Sequence, residues 1–293
     1  MPRRLNVRHS THYRYSKPVA FGPHRMMFRP RDSHDMRLVE TKLTILPKPE
    51  IVQWSFDVFG NSVATAVFGD VTAAELKFES EIDLLHYQSP DVAPQVETYA
   101  ATYPFTYRSA DQPDLQSTIE RHRPDPDGVI ASWAAQFRDP KHTIPTLELL
   151  SAIMEGARAQ ITYRSRIAIG TQDPVVTLKR GTGTCRDYAL LMMEAVRSLG
   201  LAARFVTGYI YKDGPSANVG GGATHAWVQV FVPGAGWIEF DPTNGIVGNR
   251  DLIRVAVTRD PSQAVPLSGT FTSAGGRYLG MDVTVRVTQL DSV

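Results

Sequence analysis

Cysteine is almost absent: the 293 residues hold one, Cys185. A single thiol cannot close an internal disulfide, so the fold draws nothing from an oxidising compartment and Cys185 must be judged by its neighbours. Long apolar runs are missing as well. Nothing approaches the roughly 18 consecutive apolar residues of a membrane span, and Met1-Pro2-Arg3-Arg4-Leu5 opens a polar stretch where a secretory signal would place an apolar core. The expectation is a cytoplasmic protein that does not contact a membrane. Neither sign of charge dominates: Lys and Arg number 31 against 30 Asp and Glu, a net of +1. No overall field therefore recommends nucleic acid as a partner.

What is present divides in two. With 42% hydrophobic and 21% charged residues the chain can bury a substantial core. From Arg4 to about Tyr87 short strand-forming runs, such as Leu38 to Leu46 and Ile51 to Phe59, alternate with turn signals such as Gly60-Asn61. Ser89 to Gly128 is rich in proline and reads as a linker leading into a second domain. Beyond it, Leu149, Leu150, Ile153, Met154, Ala157 and Ile161 recur at helical spacing. Strand patterns return through Ala203 to Tyr209, Ala226 to Val232, Trp237 to Phe240 and Met281 to Val287. The fold class read from this is α+β: an all-β domain at 1–95, then a core of helices and strands at 96–293 that includes the C-terminal strands.

Chemistry concentrates in the second part. Thr184 suits a helix N-cap, Asp187 lies where a capping-box acid would reach back, and Gly200 ends the helix. Cys185 then falls in the first turn, where unpaired NH groups and the helix dipole favour negative charge. Gly181-Thr182-Gly183 before it permits a tight turn and close approach of a substrate to the sulfur; the Cys185 NH is placed to help hold an oxyanion. Of eight histidines, His225 is best placed as proton carrier, opening a strand directly after Gly220-Gly221-Gly222. After the turn Pro233-Gly234-Ala235-Gly236 the chain brings Asp241 back to orient the imidazole. A regular hairpin would set Asp241 opposite Gln229 or Val228, so contact with His225 calls for a bulge, strong twist or a longer turn. Cys, His and Asp also bind zinc, but the three lack paired-ligand spacing and no metal is expected. His9 and His12 point to opposite faces of a strand.

Gly183-Thr184-Cys185-Arg186-Asp187-Tyr188-Ala189, Ala203 to Tyr209, His225-Ala226-Trp227 and Trp237-Ile238-Glu239-Phe240-Asp241-Pro242-Thr243 together resemble the bacterial transglutaminase-like superfamily. Tyr13 to Val19 and His24 to Arg31 resemble the β-sandwich that precedes this core in bacterial members. The resemblance implies a papain-like Cys-His-Asp arrangement, assigned to Cys185, His225 and Asp241, with an irregular hairpin register and no cofactor. It offers Tyr163 as a second oxyanion donor. Trp227 and Trp237 are read either as walls of an acyl channel or as strand core, and Arg204 and Asp187 as a supporting pair beneath the site. The expected activity is thiol-dependent acyl transfer on a protein or peptide amide through a thioester. Water as acceptor gives a cysteine peptidase or amidase, an amine gives a protein-glutamine gamma-glutamyltransferase, and a non-catalytic binding scaffold is the rival of another class. Substrate choice is expected in the loop Lys212 to Gly222 and the groove between domains.

Overall fold

The computed structural model describes residues 2–88, 94–166, 170–211 and 223–290. Alternating polar and apolar residues form β1 (Arg3–Met26), β2 (Met36–Leu46), β3 (Ile51–Phe56), β4 (Ser62–Val67) and β5 (Thr72–His86). In β5, Leu76, Phe78, Ser80, Ile82 and Leu84 are buried at every second position, as one core-facing side of an antiparallel strand requires. β1 is long enough to serve two layers. Its first half pairs with β5 and its last residues with β4, and the register shifts between Arg14 and Val19.

Beyond residue 94 helices enter: β6 (Thr102–Tyr103), α1 (Gln112–Ile119), α2 (Val129–Ala135), β7 (Ile144–Pro145), α3 (Thr146–Gln160), β8 (Thr162–Tyr163), α4 (Pro174–Arg180), β9 (Thr182–Gly183) and α5 (Cys185–Ser198). The strands β10 (Ala203–Ile210), β11 (His225–Val232), β12 (Gly236–Asp241), β13 (Ile246–Val247) and β14 (Leu252–Thr258) form an antiparallel sheet in the order β13-β12-β11-β10-β14. Helix α5 lies on this sheet, its Ala189, Met192, Met193 and Val196 sharing a core with Phe205, Ala226, Val228, Val230 and Phe240. The chain closes with β15 (Leu267–Thr272) and β16 (Tyr278–Gln289).

One expectation needs correction here. The C-terminal strands do not join the second unit: β15 and β16 both pair with β1. The strands of residues 1–95, expected as a sandwich, belong with β15 and β16 to one seven-stranded sheet, with β2-β5-β1-β4-β3 as its path and β15 and β16 added to β1. Phe21, Phe68, Leu76 and Phe78 share a buried core in this unit. The physical reason is the length of β1, which leaves one edge of the strand for the chain's end to cover.

The proline-rich stretch is also more than a linker. Tyr103 donates its hydroxyl to the carbonyl of Leu199 at 3.0 Å, and Tyr107 donates to that of Phe231 at 2.8 Å while accepting from the NH of Ala202 at 2.9 Å. Both rings are buried, so this segment ties the end of α5 to the sheet. The two units share a further core in which Leu5, Val7, Ile82 and Leu84 meet Tyr209, Ile253 and Val255. Beside it, Arg254 of β14 bonds Asp35 of the first unit at 2.8 and 2.9 Å and Glu239 of β12 at 2.5 Å.

Candidate active site

Cys185 is the first residue of α5 and is only 5% exposed. Asp187 fixes that helix start: its Oδ2 accepts from the NH and hydroxyl of Thr184 at 2.8 and 2.9 Å, and its Oδ1 accepts from Arg166 at 2.8 Å and the NH of Gln172 at 2.6 Å. Burial alone would push this carboxyl up, but the bonds from Arg166, Thr184 and Gln172 outweigh it and hold it below the ordinary range. Arg204, expected as its partner, lies elsewhere. Its Nε donates to Gln229 at 2.8 Å and its guanidinium stacks 3.9 Å above the Trp237 ring. Strand alternation explains the correction: Phe205 lies in the core under α5, so its neighbour Arg204 points to the other side of the sheet.

Gly183 is required by packing, since a Cβ there would stand 2.9 Å from the Cβ of Asp187. The same residue pairs in parallel with Tyr163 of β8. Tyr188, one turn after Cys185, donates its hydroxyl to the carbonyl of Ile161 and so fastens that strand to α5. Tyr163 is half-buried, and its hydroxyl is pushed up first by burial and then by the neighbouring Cys185.

Across from the sulfur, His225 opens β11 and is buried. Its Nε2 bonds Asp241 Oδ2 at 2.8 Å. Its Nδ1 has no hydrogen-bond partner among the described residues, while Cys185 is near enough to influence its charge. Burial lowers the affinity of this ring for a proton, but the charge and hydrogen bond of Asp241, with Cys185, overcome that and raise it to about 10. Asp241 is fully buried; desolvation pushes it up, and the charge and bond of His225, with bonds from Asn244 and Thr243, bring it below its ordinary value.

The hairpin is more regular than expected. Val232 faces Gly236 and Val228 faces Phe240 with no shift between, which sets Asp241 at the level of Trp227. His225 is then a diagonal neighbour, at a Cα spacing of about 7–8 Å that two side chains readily span. No bulge is needed, and the irregular register expected from the resemblance is corrected: the three-residue turn carries Asp241 further along than a Gln229 or Val228 pairing allows.

Asn244, given no role from sequence, completes the group. Its Nδ2 donates to Asp241 Oδ2 at 2.8 Å and lies 3.3 Å from His225 Nε2, while Asp241 Oδ1 accepts from the NH of Thr243 at 2.9 Å. The signal was there, since Asp-Pro-Thr-Asn is the composition of a turn closed by its own aspartate.

Of the two readings of Trp227, strand core is the one its surroundings fit: it is fully buried with Val206, Ile210 and Leu252 and stacks on His225 at 5.9 Å between centroids. Gly208 makes room for it, because a Cβ there would meet the carbonyl oxygen of Ile253 at 2.0 Å and the Trp227 ring at 2.8 Å. Trp237 pairs with Phe231 at the opposite end of the hairpin from Asp241, and so stands apart from the sulfur. His9 is buried against Tyr209 and Thr11, whereas His12 turns out to Glu75. The loop from Lys212 to Gly222 lies outside the described residues.

Residues 131–242 match the transglutaminase-like superfamily and residues 5–84 the bacterial transglutaminase-like N-terminal region. An uncharacterized protein of Mycobacterium tuberculosis is 30% identical over 298 residues, covering 96% of this chain and 92% of the relative. A protein-glutamine gamma-glutamyltransferase of Pseudomonas aeruginosa is 34% identical over 76 residues, 24% of this chain and 11% of that protein. A crystal structure from Cytophaga hutchinsonii, ascribed to the cysteine proteases, superposes with a TM-score of 0.75 at 18% identity, over 100% of this chain and 92% of that one. Matches to both halves of the sequence and a relative spanning almost its full length lead to one statement: the chain belongs to the bacterial transglutaminase-like superfamily.

Proposed function

We propose that this protein is a thiol-dependent acyltransferase acting on protein or peptide amides, with Cys185 as nucleophile, His225 as proton carrier and Asp241 as its orienting carboxylate. One observation carries the reading: His225 engages Asp241 through Nε2 at 2.8 Å and leaves Nδ1 without a hydrogen-bond partner among the described residues, while Cys185 is near enough to influence the ring. The sulfur attacks the amide carbon, the C–N bond breaks, and the imidazolium passes its proton to the departing amine. A thioester on Cys185 results. The NH of Cys185 and the hydroxyl of Tyr163 are the donors to the tetrahedral oxyanion.

In the second half the neutral ring takes a proton from the acceptor, which attacks the thioester and releases the sulfur. Water is the preferred acceptor, because Cys185 is 5% and His225 1% exposed. An acyl group filling so narrow an approach leaves easier access to water than to a lysine chain. The Pseudomonas aeruginosa similarity, at 34% over 76 residues, favours the second reading of transfer to an amine. Intact-mass analysis of a glutamine-containing protein, with and without a labelled primary amine, separates the two. Cleavage or deamidation without incorporation marks a hydrolase, incorporation a transferase, and no change with either sinks the proposal.

The raised His225 gives the pH dependence. An imidazolium held up to about 10 stays protonated through neutrality, so kcat/KM should fall on the alkaline side as the ring loses its proton near that pH. Asp241→Asn removes the charge that holds it up, and its alkaline limb should move to lower pH while kcat drops roughly 10³- to 10⁴-fold. An unmoved limb would contradict the role given to Asp241. The same pair bears on stability: with the folded value raised above 6.5, the contribution of His225 is complete below about pH 6.5 and is lost as pH climbs through about 10.

Asn244→Ala removes one donor to Asp241 Oδ2 while leaving the others. We expect kcat to fall about tenfold with KM little changed, the size of one hydrogen bond to a charged group. A rise in KM alone would make Asn244 a substrate contact instead.

A further inference from the structure

We propose that the N-terminal sheet binds an extended acidic peptide segment in the cleft between its two open edges, β2 and β3. This goes beyond the reaction at Cys185 and does not depend on it. Among the described residues β2 pairs with β5 and, at Met36 alone, with Ser33, while β3 pairs only with β4. Although consecutive in sequence, these two strands do not pair with each other. A cavity of about 320 Å³ lies between them, lined by Thr41, Lys42 and Leu43 of β2, Val52 and Trp54 of β3, and Arg29 just past β1.

Free edges are normally blunted with charge or proline, because their unpaired NH and CO groups recruit other chains. β3 carries neither: its sequence is Ile-Val-Gln-Trp-Ser-Phe. Along one face Val52, Trp54 and Phe56 step outward from the core, with Trp54 49% and Phe56 75% exposed. An added strand would pair with this edge and set every second side chain over Trp54 and into the cavity.

Charge chooses the occupant. The guanidinium of Arg29 lies 5.8 Å above Trp54 and makes no ion pair among the described residues. Lys42, paired with Glu81 of β5, turns its side chain to the other face of the sheet beside Arg8, so Arg29 is the cation at the cavity. No carboxylate lines the cavity. A segment alternating acidic and apolar residues answers both features. A second copy of this chain docking through the same edge would bring like charges together, since each molecule offers Arg29.

The test uses the full chain carrying Cys185→Ala, so that no probe is consumed, and a fluorescent eight-residue peptide alternating glutamate and valine. Anisotropy should report saturable binding, weakened at least about tenfold by Arg29→Glu and by Trp54→Ala. Arg29→Gln should give an intermediate loss and guards against misfolding of the charge reversal. N-methylating every peptide amide should abolish binding, because the side chains remain while strand pairing is lost. Equal binding of a lysine–valine peptide, or of the N-methylated one, would overturn the proposal. So would absence of binding by the acidic peptide, or self-association in sedimentation that Arg29→Gln strengthens by removing the facing like charges, which would name a second copy as the occupant.

Discussion

Cys185→Ala should yield a folded protein whose turnover has fallen by at least about 10⁴-fold. The loss is so large because no other thiol exists in the chain and the ring of His225 would then face a methyl group. Stability should change by about 1 kcal/mol or less, since a small residue replaces a small residue at a helix start whose order comes from Thr184 and Asp187. A thermal melt matching the wild type beside absent turnover fits the nucleophile. Retained turnover would remove Cys185 from the chemistry, and preferential labelling of the native thiol by an alkylating probe would weigh against a scaffold that merely kept the residue.

The largest effect on stability is expected from Arg254→Ala. Arg254 stands between Asp35, 10% exposed, and Glu239, 3% exposed, and neutralises both. Burial drives the Glu239 carboxyl upward against the pull of Arg254, whereas Arg254, with Ser33 and Asn249, brings Asp35 down to about 2 despite its own desolvation. Removing the cation strands two buried carboxylates, a loss of about 3–5 kcal/mol. For a chain of this size the melt should fall by roughly 6–15 °C. The sign with pH is distinctive. Without the cation both folded carboxyls rise above their unfolded values, so the deficit should shrink as acid protonates them. Arg254→Ala combined with Glu239→Gln should recover part of the loss. A deficit independent of pH would mean that Arg254 acts through packing instead.

Local signals were readable and partnerships were not. The helix starting at Cys185 follows from a capping residue, an acid three positions on and apolar residues at helical spacing, all within 16 residues. His225 and Asp241 were legible as types at strand ends; their contact depended on counting the turn, and Val232 opposite Gly236 gave a different answer from the one expected. Asn244 carries no signal of its own in the sequence beyond that turn composition, because its role comes from a turn folded around the carboxylate of Asp241. Arg204 was paired with Asp187 because both are charged, although alternation along β10 had already assigned it to the other side of the sheet. Arg254 and Glu239 gave no sign of their partnership with Asp35, which lies 219 positions from Arg254. The C-terminal strands likewise show a clear period of two, but a period does not say which edge will receive them.

The pairing of β1 with β16 sets an order of assembly. Leu5 to Tyr15 are made long before their partners Tyr278 to Gln289, and Leu290 bonds back to Arg4 at 2.8 Å. While the chain is being synthesised, every segment that builds the five-stranded sheet and α5 has already emerged, yet one side of β1 still waits. The unit first in sequence is therefore the last to be completed, and for that interval β1 offers a long open edge to neighbouring chains.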